Sequence, residues 1–212
     1  MKLYNFTLAP NGKRVQAFLK EKKINLDTFE LNVRDGEQFK EPFKTMNPFN
    51  CIPFLELEDG TIISESVSIC RYLEEKYYPS PSLFGDTPKN KAYIDMWNRR
   101  LELDAFSPLG NALRNKEAFF SDRVLAGTRG DIKQSPDIVE RGRQMSNLLF
   151  KRIDYYLKDK EFICGDNFTI ADITGYFIFV TLKRLKFDIP KEFKNVQKWK
   201  LNLLNRECFN NE

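Results

Sequence analysis

The sequence changes texture once, at Tyr78-Pro79-Ser80-Pro81-Ser82 and on to Gly85, and that change limits what the chain can fold into. Proline and glycine at this density end regular structure, so the segment reads as a linker. Before it, short apolar runs alternate with helical periods. Lys2–Phe6 suits a strand, and Ala9-Pro10-Asn11-Gly12 a turn; Val15, Phe18 and Leu19 then recur at helical spacing through Lys23. Residues 26–33, LDTFELNV, alternate as a second strand with Phe29, Leu31 and Val33 on one face. A short helix is expected around Gln38–Thr45. Residues 53–57 and 61–63 flank Glu58-Asp59-Gly60, where Asp-Gly suits a tight hairpin turn. A helix from Glu65 then carries Ile69, Cys70 and Leu73 inward.

This order, βαβαββα, fits a mixed sheet covered by helices. After the linker the periodicity is helical throughout, with helices expected over 88–115, 136–157, 170–185 and 193–205 and no strand. Residues 121–135 read as a polar, Gly-containing loop over a cleft. The expected architecture is therefore an α/β domain over 1–80 and an all-α domain over 86–212.

Several chemistries are excluded by what the chain lacks. It has 212 residues and no histidine, which removes His-based zinc sites, Ser-His-Asp triads and Cys-His pairs. Cys51, Cys70, Cys164 and Cys208 are scattered, with no CxxC. The net charge of +4 comes from 34 basic and 30 acidic residues that interleave, as in Lys20-Glu21-Lys22-Lys23, so no nucleic-acid partner is expected. The start, MKLYNFTL, lacks the apolar stretch and cleavage site of a signal peptide. No run approaches the roughly 18 apolar residues of a membrane span. A cytoplasmic protein without metal is expected.

One helix start is well marked. In Asn167-Phe168-Thr169-Ile170-Ala171-Asp172-Ile173, Thr169 can cap the Asp172 amide while the Asp172 side chain reaches back to the Thr169 amide. Phe168 and Ile173 stand where a hydrophobic staple places them.

Three stretches together resemble the cytosolic glutathione S-transferases. They are NPFNCIPFLELEDGTIISESVSICRYLEEKY (47–77), APNGKRVQAFLKE (9–21) and NFTIAD (167–172). The Pro-Asn-Gly loop, taken with Asp35-Gly36-Glu37-Gln38-Phe39, is most similar to bacterial nu-class and related transferases. The resemblance covers essentially the whole chain. It implies the glutathione transferase fold, a thioredoxin-like N-terminal domain binding glutathione and a helical domain carrying the electrophile subsite. It also implies a homodimer and a role in detoxification.

The resemblance gives roles to particular residues. Ile52-Pro53, by itself a plain strand-initiating proline, is implied to be cis, turning the Ile52 amide and carbonyl outward to pair with an extended tripeptide such as glutathione. Glu65 and Ser66 start a helix, where free amides and the dipole favour an anion. Ser66 is implied to hold the γ-glutamyl carboxylate and Glu65 the ammonium. Ordinary capping, with Ser64 as the cap, is the alternative. Gln38 is similar to the residue at the glycine end of glutathione; a solvated helix position, or Lys40 in its place, is the alternative. Cys51 stands where many relatives carry Lys, Arg or Gln, and is either simply buried or redox-active beside glutathione.

Activation of the thiol falls to the 9–13 loop. Ala9 stands where a Ser or Thr is expected, so Asn11 is assigned the thiolate contact, with a helix N-cap as its alternative. Thr7 and Tyr4 are reserve donors. The loop has no cysteine, which excludes a covalent enzyme–glutathione intermediate there. Phe49 is either a core residue or the aromatic that plugs a partner subunit. Arg99 and Arg100, beside Trp97 and Asn98, and Arg123 and Arg129 are either solvated or available to a substrate. The expected activity is attack of the glutathione thiolate on a small hydrophobic electrophile. The alternatives are a glutathione-dependent disulfide reductase or peroxidase, and a non-catalytic glutathione carrier.

Overall fold

A computed structural model describes residues 1–77 and 81–209; part of the expected linker, 78–80, lies outside the described residues. The chain divides into two compact units, Met1–Ser82 with Ala126–Thr128, and Leu83–Leu125 with Arg129–Glu212.

In the first unit, β1 (Lys2–Asn5), β2 (Thr28–Glu30), β3 (Phe54–Glu56) and β4 (Ile62–Ser64) form one sheet in the order β2-β1-β3-β4. β1 runs parallel to β2, with Tyr4 opposite Phe29, and antiparallel to β3, with Leu3 opposite Leu55. β3 and β4 make the hairpin expected of Asp59-Gly60, with Phe54 opposite Ser64. Successive strand residues face opposite sides. Leu3 and Leu55 thus belong to one face and Tyr4 and Phe54 to the other, their rings stacked at 4.7 Å. Helices α1 (Pro10–Lys22) and α3 (Ser66–Lys76) pack against each other. They bury Val15, Phe18, Ile69, Cys70 and Leu73, the stripe their periodicity marks.

Two expectations are corrected. The strand expected over 26–33 is only Thr28–Glu30, because Asn32 bends the chain. Its Oδ1 accepts from the Asp35 amide at 3.3 Å and starts a 3₁₀ turn over Val33–Asp35. The helix expected around 38–45 is a 3₁₀ turn, Glu37–Phe39, followed by the short α2 (Phe43–Met46). Pro42 separates them, since the residue before a proline is driven out of the helical region. Glu41–Pro42 is cis.

The second unit contains α4 (Pro88–Leu101), α5 (Ser107–Lys116), α6 (Pro136–Tyr156), α7 (Ile170–Leu185) and α8 (Lys194–Leu204). The helix expected over 88–115 is interrupted by a π turn at Glu102–Phe106. Pro108 has no N–H for the Asp104 carbonyl and its ring crowds that group, so the backbone widens just before it. α7 is apolar nearly all round and buried along most of its length. Its capping box forms as expected, and Phe168 and Ile173 are both buried. The Asp172 carboxylate accepts from the Thr169 amide (3.0 Å) and hydroxyl (2.9 Å), the Ile163 amide (2.9 Å) and the Trp199 indole (2.9 Å).

Candidate functional site

The start of α1 is built without a capping side chain. Ala9 holds the N-cap position, and Asn11 follows as the second helical residue, so Asn11 is not the cap. Its side chain turns to α3 instead, where Asn11 Oδ1 accepts from Ser66 Oγ at 3.1 Å. Asn11 Nδ2 donates to no group among the described residues. The Ser66 hydroxyl also accepts from Arg14 Nη1 at 3.2 Å. Arg14 is 1% exposed and Ser66 3%.

β4 runs into α3 with a single residue between them. Glu65 makes the whole turn, with φ 72°, and provides no side-chain cap. A non-glycine residue in that region is strained by about 1–3 kcal/mol, and such residues cluster at functional sites. Ser64, the alternative cap, closes β4 and does not cap α3. The first-turn amides of α3 therefore have neither a helical acceptor nor a cap, and the positive end of the helix dipole lies there.

Ile52–Pro53 is cis. The Ile52 amide and carbonyl take no hydrogen bond among the described residues. The Ile52 side chain packs on the cluster of Tyr4, Leu31 and Phe54. Buried Asn47 shapes the approach by donating to the Cys51 carbonyl at 2.8 Å and accepting from the Phe49 amide at 3.3 Å. Extending the Phe54–Ser64 register by one residue sets Pro53 opposite Glu65. The structure thus brings Asn11, Ile52, Pro53, Glu65 and Ser66 to one end of the sheet. Gln38 is 6% exposed and its Oε1 has no partner among the described residues, so it is not a solvated helix residue, and no hydrogen bond joins it to the others.

The reserve donors are already engaged. Thr7 Oγ1 donates to Glu30 at 2.8 Å, and the Tyr4 hydroxyl to Glu56 at 2.9 Å. Burial, with Glu56 beside it, raises the Tyr4 phenol above its ordinary value. Cys51 is half-buried. Cys70 is fully buried, and desolvation pushes its thiol well up although Arg14 is near. Phe49 is 70% exposed, which removes the core alternative. In the second unit, Arg99 pairs with Glu102 and Arg100 with Asp104 on their own helical face, while Arg123 and Arg129 both approach Asp122. Asn98 is buried, accepting from the Thr174 hydroxyl at 2.6 Å.

Two residues of the corner escaped the sequence reading. Arg14 sits four residues before Phe18, a charge on the buried stripe of α1, and that misplacement was its signal. Asn5 shares a face with Leu3 and is fully buried, and both its side-chain polar atoms lack a partner among the described residues. A Cβ on Gly12 would strike Asn5 Oδ1 and the Phe6 carbonyl, so only glycine lets α1 start this close to β1. Among the described residues no group of three or more His, Cys, Asp or Glu could hold a metal, and no helix is long and apolar enough to cross a membrane.

Residues 3–81 match the family model described as glutathione S-transferase, N-terminal domain, and residues 118–207 that of the C-terminal domain. The chain is 31% identical to glutathione S-transferase D7 of Drosophila melanogaster, covering 94% of this chain and 82% of the relative. It is 27% identical to glutathione S-transferase 2 of Saccharomyces cerevisiae, covering 94% and 83%. A glutathione S-transferase domain-containing protein of Marinobacter aquaeolei superposes with TM-score 0.88 at 30% identity, over 98% of this chain and 99% of that one. Gtt2 of Saccharomyces cerevisiae superposes with TM-score 0.86 at 27% identity, over 98% of each.

Proposed function

This chain belongs to the glutathione S-transferase family, and on that premise we propose that the corner where α1 meets α3 holds glutathione and activates its thiol. The enzyme is a glutathione transferase with glutathione as co-substrate. One observation carries the assignment: Asn11 presents an uncommitted amide N–H at the start of α1, its carbonyl held by Ser66.

Glutathione lies extended along Ile52, whose free amide and carbonyl pair with the cysteinyl backbone. The γ-glutamyl carboxylate sits on the Ser66 amide at the start of α3, because the hydroxyl proton already goes to Asn11. Glu65, turned out by its backbone, takes the ammonium. Pro53 fixes the strand end, and Gln38 meets the glycine end. Asn11 Nδ2 donates to the sulfur.

A free thiol titrates near 8.5. Lowering it by two units takes about 2.7 kcal/mol of preference for the thiolate, which the Asn11 donor and the α1 dipole together supply. On binding, the thiol proton leaves to solvent. The thiolate then forms a C–S bond to the electrophilic carbon, and the leaving group departs with the bonding pair. Residues 1–80 form the glutathione-binding domain, and the electrophile subsite belongs to 86–212. Exposed Phe49 suits a homodimer in which it enters the partner subunit. A cytoplasmic detoxification role accords with this chemistry. The nu-class likeness rests on the Pro-Asn-Gly loop and Asp35–Phe39 alone.

The test is a pH titration of thiolate absorbance for bound glutathione. We expect a bound pKa well below the free value, raised again by Asn11→Ala, which should lower kcat more than glutathione affinity. Tight binding with an unshifted thiol would make the protein a glutathione carrier. Turnover of a mixed disulfide in preference to an aryl halide would make it a reductase.

A further inference from the structure

We propose that Arg14 is a positioning residue for the transferase reaction: it fixes the Ser66 hydroxyl, which in turn fixes the Asn11 amide with its N–H turned toward the sulfur. This rests on the site assigned above and adds a residue that touches no substrate.

The polarity of the chain follows from donor chemistry. A guanidinium only donates, so Ser66 Oγ accepts from Arg14 Nη1 at 3.2 Å. The hydroxyl has one proton and gives it to Asn11 Oδ1 at 3.1 Å. A flipped Asn11 would leave the buried Ser66 proton without an acceptor, so the amide is held in one orientation with Nδ2 outward. Arg14 and Ser66 are both buried, and Arg14 stays charged at any working pH. In such surroundings consecutive hydrogen bonds polarise one another, which makes the terminal Asn11 N–H a stronger donor. The Cys70 thiol of α3 lies in the field of Arg14, and Glu74, four residues further along α3, pairs with Lys22 of α1 at 3.0 Å. The helices are thus already joined without the Ser66 contact. The same α3 turn meets the γ-glutamyl end through its amides and sets the thiol donor through its hydroxyl.

The experiment measures the pKa of glutathione bound at saturation to the wild type, Asn11→Ala, Arg14→Lys, Ser66→Ala, Ser66→Thr and the doubles with Asn11→Ala. Arg14→Lys and Ser66→Ala should each raise the bound thiol by roughly half a unit to one unit, the worth of one net hydrogen bond. Ser66→Thr should recover most of the shift. In the Asn11→Ala background neither change should add anything. A full shift persisting there would mean that Arg14 acts on the sulfur by its charge alone, and the proposal falls. No shift from Arg14→Lys or Ser66→Ala while Asn11→Ala is effective overturns it too, leaving the site intact. An inert Asn11→Ala removes both the site reading and this one. If Arg14→Lys does not fold, the Ser66 cycle decides.

Discussion

Asp172 shows how a single buried carboxylate can organise a domain and be read as a pH effect. Four donors converge on it, yet burial still lifts its carboxyl from 3.8 to about 6. The folded protein therefore holds that proton more tightly than the unfolded chain. The stabilisation is complete below about pH 4 and is lost as pH rises through about 6. We expect the stability advantage of the wild type over Asp172→Asn, taken from urea midpoints, to shrink across that window and to level off above it. An advantage that grows with pH would contradict this. At this scale the sequence is legible where a local pattern states the role. Thr169 and Asp172 announce their box by spacing, and Asn11 and Ser66 stand in recognisable segments. It is opaque where a partner comes from far along the chain. That Trp199 would reach Asp172, or Arg14 meet Ser66, is decided by packing between helices that no short window contains.

At the scale of elements, boundaries are clear where caps are strong. α7 begins at its box and ends at Lys186, which closes it in a left-handed turn, and its span matches the expectation of 170–185. β2 is short because Asn32 offers the backbone a competing hydrogen bond that a hydrophobic pattern does not register. The π turn before Pro108 was missed because helical periodicity survives one extra residue per turn. α7 also packs closely on α8. A Cβ on Gly175 would enter the Trp199 ring. Gly175→Ala should accordingly destabilise the second unit by about 1–3 kcal/mol through overpacking. A thermal melt equal to the wild type would show that the Trp199 ring can move aside.

At the scale of the molecule, the two compact units are not two uninterrupted stretches of sequence. Residues 126–128 lie within the first unit although helices of the second flank them in sequence. Asn50 Nδ2 donates to the Gly127 carbonyl at 3.4 Å. Gly127 has φ 68°, and a Cβ there would meet the Phe49 carbonyl. Gly127→Ala should cost the first unit about 1–3 kcal/mol from backbone strain alone. Calorimetry with and without glutathione would register this, and an unchanged transition would show that the segment is dispensable. Nothing in the polar run 121–135 foretold the contact, because a stretch of only three residues carries no periodicity to read.

That detour also sets an order of events during synthesis. Chains emerge at roughly 5–20 residues per second. The first unit, encoded first, lacks its last three residues until the helices α4 and α5 have also left the ribosome. Its completion is therefore delayed by seconds, and the first unit reaches its final form only when its successor is well under way.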